Sequence, residues 1–147
     1  MYVCIIISNT NIQGDEYVRL KIDMSGSTPI YQQIRNQIVF GIATGKLRAG
    51  DKLPTIRQLA NEIGVNPMTV SKSYGMLKDE GVILMDRRHG AQVNRPQPKE
   101  NALDIDFDHA AMLLISEAYT KGVSREELEK HILKLINNIY VQREEQS

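Results

Sequence analysis

The sequence predicts a mainly α-helical protein with a small β wing, and three observations lead to that fold class. Two short helical patterns lie on either side of a tight turn in residues 56–77. Two short apolar runs then flank a basic turn in residues 82–94, as in a β-hairpin. Two longer amphipathic patterns follow a proline-rich stretch, within residues 101–147. The expected architecture is therefore a winged helix-turn-helix domain followed by a two-helix segment.

These patterns divide the chain into four parts. We expect a leader and short strand in residues 1–24, the winged helix-turn-helix domain in 25–95, a linker in 96–100 and a helical dimerisation segment in 101–147. Residues 2–7 fit an edge strand, a disordered leader or residues upstream of the true start, and the sequence leaves these alternatives open. Residues 17–23 alternate apolar and charged side chains, which indicates a half-exposed strand.

The first predicted helix should begin at Pro29, with Thr28 as its N-cap, and end near Thr44. Tyr31 lies beside its apolar stripe. That stripe repeats every four residues at Ile30, Ile34, Ile38 and Ile42. The spacing indicates an amphipathic helix packed on a core.

The turn between the next two helices carries three residues suited to its backbone. Gly64 can adopt the positive φ that lets a chain leave one helix and turn sharply. Asn66 is a good N-cap, whose side chain should accept the N–H of Thr69. Pro67 follows at the first helical position, where its missing N–H has no cost. With the small Ala60 where the helices would cross, this segment predicts a helix-turn-helix.

A hairpin should follow the second of these helices. Residues 82–85 and 91–94 read as its strands, and Asp86 to Gly90 as the turn between them. Two arginines stand at the tip of this turn. A hairpin at this point is the expected wing.

The predicted tail helices have more apolar surface than one hairpin can hide. Gly122 should close the first, and Ser124 with Glu127 should form a capping box for the second. A second copy of the chain is the expected cover, giving a two-fold dimer. The expected dimerisation residues are Leu114, Ala118, Leu128, Ile132, Leu135, Ile136 and Ile139.

The formal net charge of zero hides a split along the chain. Residues 46–99 hold ten basic and five acidic residues, and residues 100–147 hold five basic and ten acidic residues. A basic middle suggests a unit that faces a polyanion, although chance asymmetry between solvated faces would look the same. The lone Cys4 excludes an internal disulfide and fits a reducing cytoplasm. There is no transmembrane run, so no membrane partner is expected, and the apolar run 3–7 is too short and lacks the basic flank of a signal peptide.

Three motifs together resemble the GntR family of bacterial winged-helix regulators. They are Leu53–Ala60, Gly64–Val70 and Leu77–Ile83, and the start of the first helix, Pro29–Ile34, is similar to the YtrA-like subfamily. The resemblance implies a homodimeric transcription regulator, most often a repressor, with a short two-helix dimerisation segment. It also implies control of a nearby operon, frequently one encoding a transport system.

The chain departs from the family at three points. Many members have arginine where Pro67 stands and a basic residue where Ser71 stands. The glycine-rich wing of the family is shortened here to residues 89–91. Base-reading details of other members are therefore not transferred to this chain.

Helical spacing and the resemblance together predict which residues contact DNA. At about 100° per residue, Val70 and Tyr74 face the core while Met68 and Lys72 lie opposite. The resemblance adds Arg57, whose alternative is a surface ion pair with Glu62 or Asp51. The full set is Arg57, Asn66, Met68, Thr69, Ser71, Lys72, Arg87, Arg88, His89 and Gly90. Backbone N–H groups near Asn66 are also expected to be able to hold a phosphate.

No catalytic set of residues is visible, so neither an enzyme nor a cofactor is expected. The cluster Asp104, Asp106, Asp108 and His109 could bind a metal, but acidic residues also favour a helix N-terminus, and we prefer that interpretation. The expected partners are double-stranded DNA and a second copy of the chain. Two alternatives stay open: a switch with an effector or metal site in the C-terminal helices, and a winged helix that binds protein.

Overall fold

A computed structural model of the chain describes the backbone of residues 2–7, 16–86, 90–98 and 100–144, and the side chains of residues 20–86, 90–98 and 100–140. In chain order the elements are β1 (Tyr2–Ile7), β2 (Glu16–Lys21), α1 (Ile30–Ala43), α2 (Ile56–Ile63), α3 (Pro67–Asp79), β3 (Ile83–Asp86), β4 (Gly90–Val93), α4 (Ile105–Thr120) and α5 (Arg125–Glu144). They divide into two units, one on each side of the bond between Pro96 and Gln97.

The first two strands form an antiparallel hairpin, with Tyr2 opposite Lys21 and Ile7 opposite Glu16. Of the three alternatives for residues 2–7, the structure has the strand. The end of this hairpin carries Leu20 and Ile22 into the core, where both are buried.

Two glutamines of α1 hold the chain that leaves β2. Gln37 accepts a hydrogen bond from the Lys21 N–H at 2.6 Å and donates one to the Lys21 carbonyl. Gln33 accepts from the Asp23 N–H at 2.8 Å and donates to the Asp23 carbonyl at 2.8 Å. Each side-chain amide therefore pairs with the backbone much as a neighbouring strand would.

The start of α1 differs from the prediction by one residue. Pro29 is the N-cap, and its carbonyl accepts from the N–H groups of Gln32 at 3.0 Å and Gln33 at 3.1 Å. The expectation that Thr28 caps this helix was wrong, because Pro29 has extended backbone, with ψ 143°, and α1 begins at Ile30. The predicted end is confirmed, since α1 ends at Ala43 with Thr44 as its C-cap.

Helices α2 and α3 form the predicted helix-turn-helix. Thr55 and Gln58 make a complete capping box at the start of α2. Gly64 has φ 74° and ψ 37°, the left-handed conformation expected of it, and its N–H donates to the Ala60 carbonyl at 2.9 Å. Asn66 is extended and caps α3, with Pro67 at its first position.

The wing contains one more extended segment than the sequence predicts. Strands β3 and β4 pair antiparallel, with Ile83 opposite Val93 and Asp86 opposite Gly90. Residues 50–53 then add to the free edge of β4 through bonds such as Leu53 N–H to the Ala91 carbonyl, 2.9 Å. This contact anchors the wing to the segment that leads into α2.

One apolar core joins the elements of the first unit from β2 onward. In chain order, its side chains come from the end of the first hairpin, α1, the 47–53 segment, α2, α3 and the wing. Its members are Leu20, Ile22, Ile34, Ile38, Leu47, Leu53, Leu59, Ala60, Ile63, Val70, Tyr74, Leu77, Ile83, Ala91 and Val93. Helix α1 also packs on α3, where the Arg35 guanidinium binds the Glu80 carboxylate, 2.7 Å from Nη2 to Oε2. The core and this ion pair fix α3 against α1.

The second unit contains two helices and no core of its own. Asp104 caps α4 by accepting the Phe107 N–H at 3.0 Å, and Asp106 and Asp108 lie in the first turn. Ser124 Oγ accepts the Glu127 N–H at 3.2 Å at the start of α5, which is one half of the predicted capping box. Across residues 100–140, all of which the structure describes, no side chain is buried.

Candidate nucleic-acid interface

Helix α3 has one buried face and one exposed face, as its spacing predicts. Val70, Ser73, Tyr74 and Leu77 are the buried residues of this helix. Met68 lies on the opposite side and is 73% exposed. Lys72 is exposed on the same side, and Thr69 and Ser71 are half-buried on its flanks. The exposed face therefore combines a cation, two hydroxyls and an apolar tip.

The N-terminus of α3 is closed by Asn66. Its side-chain oxygen accepts the Met68 N–H at 2.8 Å, and its carbonyl accepts the Thr69 N–H at 2.9 Å. The predicted side-chain bond to Thr69 was wrong by one residue, because the extended Asn66 backbone brings its amide oxygen under Met68 instead. Pro67 has no N–H, and Asn66 accepts from the N–H groups of both Met68 and Thr69, so the start of α3 already satisfies these donors within the chain. The Asn66 side-chain nitrogen has no hydrogen-bond partner among the described residues.

The ammonium group of Lys72 lies over the ring of Tyr31, with 3.7 Å between Nζ and the ring centroid. Tyr31 is the second residue of α1 and is half-buried. From the sequence, Tyr31 is expected only beside the apolar stripe of α1. No local spacing rule connects residues so far apart in the chain, so the tertiary structure alone reveals this pair.

Arg57 lies in the first turn of α2, next to the turn end of the wing hairpin. It lines a cleft of about 370 Å³ together with Tyr74, Met85 and Gly90, among others. The alternative of an ion pair with Asp51 is not what the structure has, because Asp51 is buried and accepts the Arg48 N–H at 2.7 Å. No carboxylate in the described part of the chain is paired with Arg57. Its guanidinium is therefore exposed and available.

The wing tip is described only in part. The predicted contacts Arg87, Arg88 and His89 lie outside the described residues. Gly90 is described: it is exposed, has φ 75° and begins β4. A side chain there would meet no atom within 4 Å but would be strained by the positive φ.

Two polar side chains lie on the buried face of α3. The Tyr74 hydroxyl donates to the Pro54 carbonyl at 2.9 Å, which joins α3 to the segment that precedes α2. Burial raises the pKa of the Tyr74 phenol above its usual value, and the charge of Glu62 raises it further, so the hydroxyl stays a donor. Ser73 Oγ is buried and has no hydrogen-bond partner among the described residues.

The predicted dimerisation residues lie on the two helices of the second unit. Ala118, Leu128, Ile132 and Ile139 are half-buried. The more exposed members are Leu114 at 58%, Leu135 at 49% and Ile136 at 43%. Further large apolar side chains on these helices, including Phe107, Met112 and Tyr140, are at least half exposed.

The described residues hold no group of three or more His, Cys, Asp or Glu residues placed to bind a metal ion. Among these same residues, no helix is long and apolar enough to cross a membrane.

Comparison with known proteins gives the chain a family. Residues 30–93 match the family model "Bacterial regulatory proteins, gntR family". The chain is 35% identical over 119 residues to the HTH-type transcriptional repressor YtrA of Bacillus subtilis, covering 79% of this chain and 91% of that protein.

Two solved structures share both sequence and fold with the chain. A transcriptional antiterminator from Listeria monocytogenes has a TM-score of 0.71 at 30% identity, over 81% of this chain and 90% of that one. YtrA from Sulfolobus acidocaldarius, a GntR-family transcription factor, has a TM-score of 0.54 at 39% identity, over 69% of this chain and 97% of that one. The winged helix with an exposed α3, and these relatives matched over at least 90% of their own lengths, lead to one conclusion: the protein is a non-enzymatic, DNA-binding transcription regulator that belongs to the GntR family, in its YtrA-like subfamily.

Proposed function

We propose that this protein is a homodimeric repressor that binds an inverted-repeat operator through α3 and the wing. The observation that carries the proposal is the exposed face of α3, where Met68 is 73% exposed on a helix whose other face lies in the core. A helix that projects in this way after a tight turn is the element that enters a major groove. The basic middle of the chain would supply the attraction to phosphates.

Each residue of the exposed face has a contact suited to its chemistry. Lys72 and Arg57 would bind phosphates or a guanine edge, and phosphate contacts would supply most of the affinity. Thr69 and Ser71 would bond bases or phosphates, and the Met68 side chain would pack on a thymine methyl. The side-chain nitrogen of Asn66 would add a donor at the N-terminus of α3.

The wing would extend the footprint beyond the groove that α3 occupies. Arg57 and Gly90 line the same cleft, so the turn end of the wing lies beside a predicted DNA contact. Arg87, Arg88 and His89 would then reach the phosphate backbone or the minor groove.

Dimerisation is supported by what the second unit lacks. Two helices with no buried side chain between residues 100 and 140 cannot stabilise themselves in water, because folding two helices has an entropic cost that only burial offsets. A second copy would bury the exposed parts of Leu114, Leu135 and Ile136 and complete the cover of Leu128 and Ile132. A two-fold dimer presents two α3 helices, which requires half-sites about 34 Å apart or a multiple of that.

A cleft of about 420 Å³ between α4 and α5 belongs to the same proposal. Ile115, Leu128, Ile132 and Leu133 line it, and its only charged groups, Arg125 and Glu129, bond each other at 2.6 Å. No unpaired polar group of the lining marks a small-molecule site, so we assign the cleft to side chains of the second copy. Calorimetry with sugars, nucleotides and divalent metal ions tests the alternative that an effector occupies it.

Repression, and an operator near transport genes, are the finer parts of the proposal. The relative from Bacillus subtilis is named a repressor. Family resemblance adds control of a neighbouring operon that encodes a transport system. A reporter placed behind the upstream DNA should fall in activity when the protein is expressed, whereas a rise would identify an activator.

The experiment that tests DNA recognition begins with selection of duplexes from a random library by the purified protein. We expect an inverted repeat to emerge and its affinity to fall steeply with salt. Lys72→Met and Arg57→Met should each weaken binding and flatten the salt dependence. Lys46→Met removes the same charge from the turn after α1, at a residue outside the predicted contact set, and serves as the control. Failure to enrich any duplex, or equal effects of all three variants, would refute the proposal.

A further inference from the structure

The Tyr31 ring and the Lys72 ammonium form the one contact of the exposed α3 face that the sequence does not suggest. Nζ lies 3.7 Å from the ring centroid, which is the geometry of a cation–π interaction. Lys72 is exposed and would otherwise be a mobile four-carbon chain. The ring therefore restricts where the charge can be before any DNA arrives.

The backbone that carries the Tyr31 ring is held in place by packing and by an ion pair. Tyr31 is half-buried in the first turn of α1, and Ile34 and Ile38 hold that helix in the core with exposures of 0% and 2%. One turn after Tyr31, Arg35 binds Glu80 just beyond the end of α3, with both Nε–Oε distances 3.1 Å. Helices α1 and α3 are thus joined both near the middle of α3 and at its end. The backbone that carries the Tyr31 ring is therefore fixed relative to α3, next to the flexible Lys72 side chain.

We infer that Tyr31 is a positioning residue of the DNA interface, which holds the Lys72 ammonium ready for a phosphate. The inference rests on the proposed function, because it assumes that Lys72 contacts DNA. Ordering a lysine before binding lowers the entropy that association must lose. An exposed cation–π contact favours the positioned state of the lysine by a factor of about two to five. Losing the ring should therefore weaken DNA binding by about two- to fivefold.

Two substitutions separate the ring from the hydroxyl. Tyr31→Phe keeps the ring and should bind the selected inverted-repeat duplex like the wild type. Tyr31→Leu keeps apolar volume without the ring and should show the loss. If Tyr31→Phe is as weak as Tyr31→Leu, the hydroxyl contacts DNA directly and the positioning role is wrong. If Tyr31→Leu binds more tightly, the ring sequesters the lysine instead.

A double-mutant cycle tests whether Tyr31 acts through Lys72. Tyr31→Leu should have no further effect on affinity in a Lys72→Met background, since no ammonium remains to position. An undiminished effect in that background would overturn the inference. Matching thermal unfolding of the four proteins shows that the changes are not losses of fold.

A measurement without DNA tests the contact itself. The Lys72 methylene protons next to Nζ lie over the aromatic face, so their NMR signals should be shifted upfield in wild type and Tyr31→Phe. They should return to ordinary positions in Tyr31→Leu. Ordinary positions in the wild type would refute the inference even if every DNA experiment succeeded. A wild-type protein that selects no duplex but shows the shift would instead refute the proposed function.

Discussion

Ile136→Glu tests the proposed dimer at a residue whose exposure sets the expected size of the effect. Ile136 is 43% exposed in the single chain. Full burial of an isoleucine contributes about 1.5–3 kcal/mol, so covering the exposed part contributes about 0.6–1.3 kcal/mol in each copy. A two-fold interface contains the residue twice, which gives about 1.3–2.6 kcal/mol for the dimer.

This free energy corresponds to a dissociation constant raised roughly 10- to 80-fold. It is a lower limit, because the two carboxylates would also lose water on burial. Sedimentation equilibrium over a series of protein concentrations measures the constant directly. The variant should also bind a two-half-site operator more weakly than the wild type. In a dimer the second half-site is bound within one complex, whereas separate monomers must each associate from solution.

Asn138→Glu is the matched control. It makes the same change of charge on the same helix, at an exposed position on the side away from the apolar stripe. Its dissociation constant should equal that of the wild type. If both variants dissociate alike, or neither does, the apolar face of α5 is not the dimer interface.

Three further predictions concern the stability of the helix-turn-helix, each measured by urea unfolding. Ser73→Ala should raise the free energy of unfolding by about 1 kcal/mol, because the buried Oγ has no partner in the described structure; a clear loss would mean that a partner exists. Gly75→Ala should also raise it, by about 0.5–1 kcal/mol, since an added Cβ meets nothing within 4 Å in this helical position; destabilisation would contradict the open space. Thr55→Ala should lower it by about 1 kcal/mol through loss of the capping box with Gln58, and an unchanged midpoint would show that the cap contributes nothing.

The helix-turn-helix was predictable because its determinants are local. Gly64 adopts positive φ, Asn66 caps and Pro67 opens α3 for reasons that involve only neighbouring residues. The buried face of α3 followed from helical periodicity in the same way. Two predicted caps differ from the structure by a single residue. Pro29 caps α1 in place of Thr28, and the Asn66 side chain accepts from Met68 in place of Thr69, because backbone geometry decides which atom accepts.

The exposed tail was also predictable, for a different reason. Two amphipathic helices of this length cannot cover their own apolar faces, whatever their exact arrangement. The structure agrees, since no side chain in residues 100–140 is buried. A second copy of the chain is the cover that we propose for that surface.

By itself the sequence determined the order of the elements from β2 onward, the turn at Gly64 and the faces that α1 and α3 bury, because these depend on residues a few positions apart. Only the tertiary structure decided which elements meet. It placed Tyr31 under Lys72, joined Arg35 to Glu80 and added residues 50–53 to the wing. Periodicity shows that a face is buried but not what buries it, so contacts between distant segments appear only when the chain has folded.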